Sequence, residues 1–234
     1  FNDNMEELNY KLNTTCFYSR NKKEVLKELP DKIRTVVPCE IDNQSEYNAA
    51  LSDLADYLKE YRAATDEQVR RSMRGETMVR IGVLKNISAR GKLNAVRDYI
   101  NDMLKSDEKI VVFIHQKEIA GFLTQAFPDA VTITGNDDMI TRQKNIDAFQ
   151  NDPSVKLIVC SIKAAGVGLT LTASSNVIFV ELPWTAADTD QCEDRCHRIG
   201  QKDSVNCIYF LGENTIDEDI YKIIQYKREI SNII

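Results

Sequence analysis

Four polar residues near the carboxyl end of the chain, Gln191, Asp194, Arg195 and Arg198, are spaced i, i+3, i+4 and i+7. On a helix that spacing places all four on one face. A face that closes with two arginines makes a poor core and a good anion clamp. Each guanidinium is always charged and offers a rigid fork of donors suited to phosphate oxygens. A solvated, charged helix face has the same pattern and is the plainer alternative. Upstream, the stretch SIKAAGVGLTLT (161–172) holds Gly166 and Gly168, whose missing side chains let backbone approach a ligand closely. Glycines at such a place are also ordinary turn residues.

These residues need elements to hold them. KIVVFI (109–114), VTIT (131–134), KLIVCSI (156–162), NVIFVEL (176–182) and VNCIYFL (205–211) have the continuous apolar character of buried strands. Helices are predicted between them over Lys117–Phe127, closed by Pro128, and over Asp138–Gln150, ended by Asn151, Asp152 and Pro153. A third is the helix carrying the four polar residues, and a last one runs from Thr215 nearly to the end. Alternation of such strands and helices predicts an α/β fold, a parallel sheet with helices on both faces. Ligands in these sheets sit at the carboxyl ends of strands, and AAGVGLTLT follows one such end.

The earlier half carries less chemistry. A helix is expected around Met5–Leu12, a charged helix at NKKEVLKEL (21–29) stopped by Pro30, and a short strand at about Ile33–Cys39. From Asn43 to Ser106 the chain is helical in character. Tyr47, Ala50, Leu51, Leu54, Tyr57, Leu58 and Tyr61 recur at helical spacing and predict a packed helical linker.

Composition narrows the function classes. The 234 residues suffice for one or two domains with a real core. A hydrophobic content of 43% and a mean hydropathy of −0.36 are ordinary for a soluble protein. No apolar run is long enough to span a membrane. The opening FNDNMEEL lacks the basic and apolar regions of a signal peptide and does not begin with methionine, so a portion of a longer intracellular protein is expected. A net charge of −6 argues against a freestanding DNA-binding domain, whose affinity comes from phosphate neutralisation. Local contacts from backbone N–H groups and a few lysines stay open.

The six cysteines have no disulfide-framework spacing, and reduced thiols are expected. Cys192, Cys196 and His197 place three possible ligands within two turns, but a closed zinc site wants four. Packing against the sheet is the expected role of both thiols, and no metal site is predicted. The chain has no GxxxxGK[ST] phosphate loop. Asp66-Glu67, Asp107-Glu108 and Asp217-Glu218 fall in helical or loop stretches and not at the end of an apolar strand. An arginine pair without a phosphate loop or magnesium carboxylates is half a nucleotide site.

With these motifs in hand the chain resembles the Swi/Snf-type branch of superfamily 2 helicases and translocases. QCEDRCHRIGQ (191–201) is similar to the family's motif VI, SIKAAGVGLTLT to motif V and KIVVFIHQ (109–116) to motif IV. ITGNDDMITRQKNIDAFQ (133–150) holds the glycine and arginine that the family keeps, here Gly135 and Arg142. GENTIDEDIYKII (212–224) and CFYSRNKKEVLKELPDK (16–32) extend the likeness to nearly the whole chain. ELPWTAADTDQ and IHQ resemble the branch that includes annealing helicases.

The resemblance implies the second RecA-like lobe of an ATP-dependent double-stranded-DNA translocase. It implies residues 1–40 as a remnant of the first lobe, 41–90 as the helical linker and 91–234 as the second lobe. Arg198 matches the arginine finger, Arg195 its companion and Gln191 their polar support. Ser161, Gly166, Gly168 and Thr170 match the motif V loop that couples the nucleotide cleft to DNA, and Trp184 and Arg142 match DNA-contacting positions. ATP and magnesium are implied for the parent, bound mainly by the missing first lobe, as are duplex DNA and that lobe as partners. No membrane association is expected. The setting would be the bacterial cytoplasm and nucleoid or the eukaryotic nucleus.

HRIG also occurs in DEAD-box RNA helicases, followed by an arginine where this chain has Gln201. Aligning on Gln191, Arg195 and Arg198 keeps both arginines. Two departures stand out. Tyr18-Ser19-Arg20 replaces a usual Leu-Arg-Arg, and Ala186 replaces a proline common two residues beyond the tryptophan. A silent DNA- or protein-binding module and an RNA helicase lobe are the competing readings.

Overall fold

A computed structural model describes residues 4–15, 25–63, 67–165 and 168–233. Helix α1 (Met5–Thr15) precedes strand β1 (Lys32–Cys39), and α2 (Gln44–Ala63) and α3 (Glu67–Gly91) form a helical hairpin. Then follow α4 (Leu93–Leu104), β2 (Ile110–Ile114), α5 (Lys117–Ala126), β3 (Val131–Ile133) and α6 (Met139–Asn151). The chain continues through β4 (Leu157–Ser161), the short α7 (Ile162–Ala165), β5 (Asn176–Phe179), α8 (Ala186–Glu193), β6 (Val205–Gly212) and α9 (Ile216–Ile233).

Among the described residues the strands form one sheet in the order β1-β6-β5-β2-β4-β3, with every pair parallel. The even-odd alternation of a strand sorts its side chains between two cores. Val111, Phe113, Ile158, Cys160, Val177, Phe179 and Tyr209 face α6, α8 and α9, joining Phe149, Cys192, Cys196 and Ile224. Ile110, Val112, Ile114, Val159, Ile178, Ile208 and Phe210 face α4 and α5, joining Val96, Ile100, Ile119 and Leu123. Helices thus cover both faces, as the apolar strand runs predicted. Across the first core the rings of Phe113, Phe179 and Tyr209 stack at centroid separations of 5.4 and 4.8 Å.

β1 lies within the segment expected as a first-lobe remnant, and it pairs with β6 along its whole length, from Lys32 opposite Val205 to Cys39 opposite Gly212. Of the charged helix expected at 21–29, residues 21–24 lie outside the described residues, and Leu26–Leu29 form a turn closed by the Leu29 N–H on the Leu26 carbonyl (3.1 Å). Asp138 is the N-cap of α6 and not its first residue, because its carboxylate accepts the Thr141 N–H at 2.7 Å.

The helical hairpin is fastened to the sheet by an ion pair with almost no solvent contact. Lys92 Nζ lies 2.5 Å from Asp217 Oδ2 and donates to the Phe210 carbonyl at 2.9 Å. The same carboxylate oxygen accepts Ser88 Oγ at 2.8 Å and the Gly212 N–H at 3.1 Å. The approach is close enough to exclude a side chain at Gly212, where a Cβ would stand 2.7 Å from Ser88 Oγ. Replacing Asp217 with alanine strands the Lys92 ammonium in the interior, which typically costs about 3–5 kcal/mol. Denaturant unfolding of Asp217→Ala should show a lowered midpoint with an unchanged slope. A midpoint equal to wild type would show that the pair does not fasten the hairpin.

Candidate functional site

Helix α8 starts where Thr185 caps it, its hydroxyl accepting the Asp188 N–H at 3.1 Å. It was expected to carry Gln191, Asp194, Arg195 and Arg198 on one face, but it ends at Glu193. Arg195 and Arg198 instead lie in the turn and bend that follow it. Past the arginines the helix cannot resume, because its carbonyls have other partners. In a longer helix the Arg195 carbonyl would take the Ile199 N–H, but it accepts the Leu171 N–H at 2.8 Å. The Cys196 carbonyl takes the Arg198 N–H at 3.0 Å and Gln201 Nε2 at 3.3 Å. Gly200 then turns the chain at φ +100°, a conformation that favours glycine.

Gln191 remains on α8 and is exposed. Arg195 is half-buried, and its Nε has no hydrogen-bond partner among the described residues. Arg198 is exposed, with Nη1 3.4 Å from Thr170 Oγ1. Two of the sequence-predicted residues, one from the glycine loop and one from the arginine turn, therefore touch.

What holds the two segments together is Gln201, which spacing alone did not single out. It is buried, and its Nε2 donates to the carbonyls of Ser174 (2.8 Å), Thr172 (3.3 Å) and Cys196 (3.3 Å). Its Oε1 accepts the N–H groups of Lys202 and Asp203 at 2.9 and 3.1 Å. An arginine here would bring five donors and no acceptor for those two N–H groups. Ser174 Oγ in turn donates to the Lys109 carbonyl, next to the first residue of β2, at 2.6 Å.

These contacts place Thr170 and Arg198 at the amino edge of the sheet, not at the carboxyl edge where the loop was expected to present its ligands. Only the start of the loop is there. Ser161 is the last residue of β4, opposite Ile114. The loop then runs back down the sheet by about 15 Å, the length of a five-residue strand. Gly168, exposed at φ +45°, lies on that return, and Gly166 lies outside the described residues.

At the carboxyl edge stand the other two expected residues. Trp184 is 40% exposed, with Lys85 Nζ of α3 at 3.7 Å from the centre of its ring. Arg142 is half-buried and spends Nη2 on the Thr134 carbonyl at 2.9 Å. Between them the buried Glu181 accepts the N–H groups of His115 (2.7 Å) and Gln116 (2.9 Å) and the Gln116 side chain (2.9 Å).

The inner side of α8 is set by a charge. Glu193 is wholly buried and accepts Arg34 through Nε (2.8 Å) and Nη2 (2.6 Å), Lys32 Nζ (2.9 Å) and Arg228 Nη2 (3.1 Å), together with the Tyr209 hydroxyl. Burial alone would raise its carboxyl, but the Arg34 hydrogen bond and the charges of Lys32, Arg34 and Arg228 outweigh it and hold the group at about 2. This anchor had a signal in the sequence. Thr189, Cys192, Glu193 and Cys196 share the buried face, and a carboxylate among core residues requires cations, here Lys32 and Arg34 two apart on one strand. Cys192 and Cys196 do pack in the core, where burial pushes the Cys192 thiol up to about 12. His197 bonds through Nε2 to the Pro30 carbonyl at 2.7 Å.

Known proteins share this fold. Residues 91–200 match the helicase conserved C-terminal domain. The fold superposes on the C-terminal part of the Fun30 ATPase domain with a TM-score of 0.69 at 16% identity, covering 84% of this chain and 90% of that one. It matches the Sulfolobus solfataricus SWI2/SNF2 ATPase core in complex with dsDNA with a TM-score of 0.67 at 26% identity, covering 96% of this chain and 50% of that one. In sequence the chain is 33% identical over 236 residues to the DNA annealing helicase and endonuclease ZRANB3 of Bos taurus, covering 97% of this chain and 21% of the relative. It is 30% identical over 234 residues to the Drosophila melanogaster SWI/SNF-related matrix-associated actin-dependent regulator of chromatin subfamily A-like protein 1, covering 97% of this chain and 30% of the relative. Fold and motifs together define a RecA-like helicase C-terminal lobe. The chain belongs to the Swi/Snf-type superfamily 2 helicase-like ATPases, of which it is the second RecA-like lobe. It spans about a fifth to a third of the length of the curated relatives it matches. Among the described residues no helix is long and apolar enough to cross a membrane.

The Glu193 anchor makes the lobe acid-sensitive in a defined window. A carboxyl held at about 2 against an ordinary 4.5 contributes fully above 4.5, and that contribution is lost as pH falls toward 2. The difference amounts to about 3 kcal/mol. Denaturant midpoints measured from pH 6 to 2 should fall across this interval, and much less in Glu193→Gln, which starts destabilised. Parallel acid profiles for the two proteins would remove Glu193 from the account.

Proposed function

We propose that this lobe completes the nucleotide site of an ATP-dependent double-stranded-DNA translocase, with Arg198 as its arginine finger. The contact of Arg198 with Thr170 carries the reading: an exposed guanidinium, held by one long hydrogen bond, keeps its remaining donors available to phosphate oxygens. Arg195, half-buried behind it with an unused Nε, adds a second cation at the same edge. The donor set fits the terminal phosphates of a nucleotide presented by the first RecA-like lobe, which would hold most of the ATP and its magnesium. When bound, ATP supplies the phosphoanhydride whose cleavage drives lobe movement. Closure of the lobes would bring Arg198 against the charge that develops on the transferred phosphoryl group. Gln201 holds the Arg198 turn on the motif V loop, so closure at the amino edge pulls on a segment that begins at Ser161 on the opposite edge. Trp184 and Arg142 at that carboxyl edge would meet the DNA backbone. The protein would then act where duplex DNA is kept, in a nucleoid or a nucleus. A nucleic-acid-binding module without catalysis would not need an exposed arginine facing the motif V threonine, and Gln201 sets the lobe apart from the RNA helicase pattern.

In the full-length parent, Arg198→Ala should lower kcat for ATP by about three to five orders of magnitude with little change in DNA affinity. Arg198→Lys should recover little, since the ammonium lacks the planar fork. Thr170→Ala should reproduce part of the loss by freeing the guanidinium. Near-normal turnover in Arg198→Ala, combined with lost DNA binding, would move the arginine from the nucleotide cleft to the DNA surface.

The 234-residue chain by itself should fold and not hydrolyse ATP, because the sequence carries no phosphate loop to present the nucleotide. Phosphate release from the purified chain that rises with DNA and vanishes in Arg198→Ala would overturn this.

A further inference from the structure

Lys85 is an unusual lysine. It lies on α3 of the helical hairpin, in the segment expected to carry no chemistry, and only 8% of it is exposed. Lysine is seldom buried without a carboxylate partner at bonding distance. Lys92, seven residues on, has one in Asp217. Lys85 has instead the Leu182 carbonyl, to which Nζ donates at 2.8 Å, and the ring of Trp184, whose centre lies 3.7 Å from Nζ. Both belong to the loop that leaves β5. Two attachments to one loop, one to backbone and one to an aromatic face, fix its height and the tilt of its ring. An ammonium over an indole is the strongest pairing of its kind, and more so when shielded from water.

The same loop is tied on its other side. Glu181, one residue before Leu182, holds the backbone N–H groups of His115 and Gln116 where β2 passes into α5. The Glu181–Trp184 segment is thus gripped by the helical hairpin through Lys85 and by the sheet through Glu181. Burial pushes the Lys85 ammonium down to about 8, with Glu181 and Asp217 opposing the fall and Lys92 adding to it. Those three are the charged groups that face it, from the β5 loop, α9 and the α3–α4 junction.

We propose that Lys85 is a positioning residue for Trp184, through which the helical hairpin sets the DNA-facing loop after β5. The DNA-facing half of this rests on the translocase reading; the positioning half does not. Movement of the hairpin would be transmitted directly to the ring, and loss of the Lys85 proton would release the ring while leaving the amine bonded to the Leu182 carbonyl.

Trp184 is the one tryptophan in the chain, so its fluorescence reports on the contact without a label. Emission from the 234-residue chain, recorded from pH 6.5 to 9.5, should show a transition centred near pH 8. Lys85→Met, which keeps the stem and removes the charge, should abolish the transition. Lys85→Arg should keep the low-pH emission across the whole range, and circular dichroism should confirm that both variants are folded. The same transition in Lys85→Met would overturn the positioning role. In the full-length parent, Lys85→Met and Trp184→Ala should each lower DNA-stimulated kcat by about three- to tenfold, and the double variant should be no worse than either, since the two act as one unit. Lys85→Arg should restore most of the loss. Additive losses would overturn the coupling. Undiminished DNA stimulation in Trp184→Ala would overturn the DNA-facing half alone, leaving the fluorescence titration to decide the other.

Discussion

A carboxylate with no access to water must be compensated by charge, and Glu193 draws that charge from Lys32 and Arg34 on β1 and Arg228 on α9. Glu193 is also the last residue of α8. Fixing it holds the end of the helix in place, directly before the turn that bears Arg195 and Arg198. The anchor also binds the edge strand β1 to the middle of the lobe, so the sheet's outer strand and the arginine turn are set by one group.

The fold was legible because its signals were local. Continuous apolar runs such as Ile110–Ile114 and Leu157–Ser161 admit few alternatives to a two-faced parallel sheet, and the helices between them showed through periodicity and proline stops. The arginines were legible as a pair but not in their geometry. Helical spacing extends the helix through Arg198, whereas α8 ends at Glu193, and Leu171 and Gln201 take the Arg195 and Cys196 carbonyls that follow. The Leu171 contact is tertiary and lies outside the window in which helical periodicity is read. Glu193 was half-legible: its place beside Cys192 and Cys196 marked it as buried, but its partners came from both ends of the chain.

The loop after β4 leaves the carboxyl edge at Ser161 and meets Arg198 at the amino edge through Thr170, and under the translocase proposal this is how DNA and nucleotide chemistry would share one lobe. Ser161, Trp184 and Arg142 are spread along the carboxyl edge, after β4, β5 and β3. At the amino edge Thr170 meets Arg198. The connection between them is covalent and short, with Leu169 and Leu171 buried in the core at its far end. A close-packed interior does not absorb displacement gradually. On the proposed reading a shift at Arg198 would be carried into the loop by way of Gln201 and Leu171, which bond the Cys196 and Arg195 carbonyls.

The distribution of cations bears on how an acidic lobe could serve the proposed DNA translocase. The net charge is −6, and several of the positive groups are committed internally. Lys32, Arg34 and Arg228 neutralise Glu193, Lys92 neutralises Asp217, and Lys85 is held over Trp184. Diffuse attraction to phosphate is then weak, and on the proposed reading contacts would come from individually placed groups at the carboxyl edge. For a translocase this is an advantage over a uniformly basic surface. A lobe that must release the backbone in every cycle cannot be held by a broad field, whereas a few contacts whose positions depend on the nucleotide state can be made and broken one step at a time.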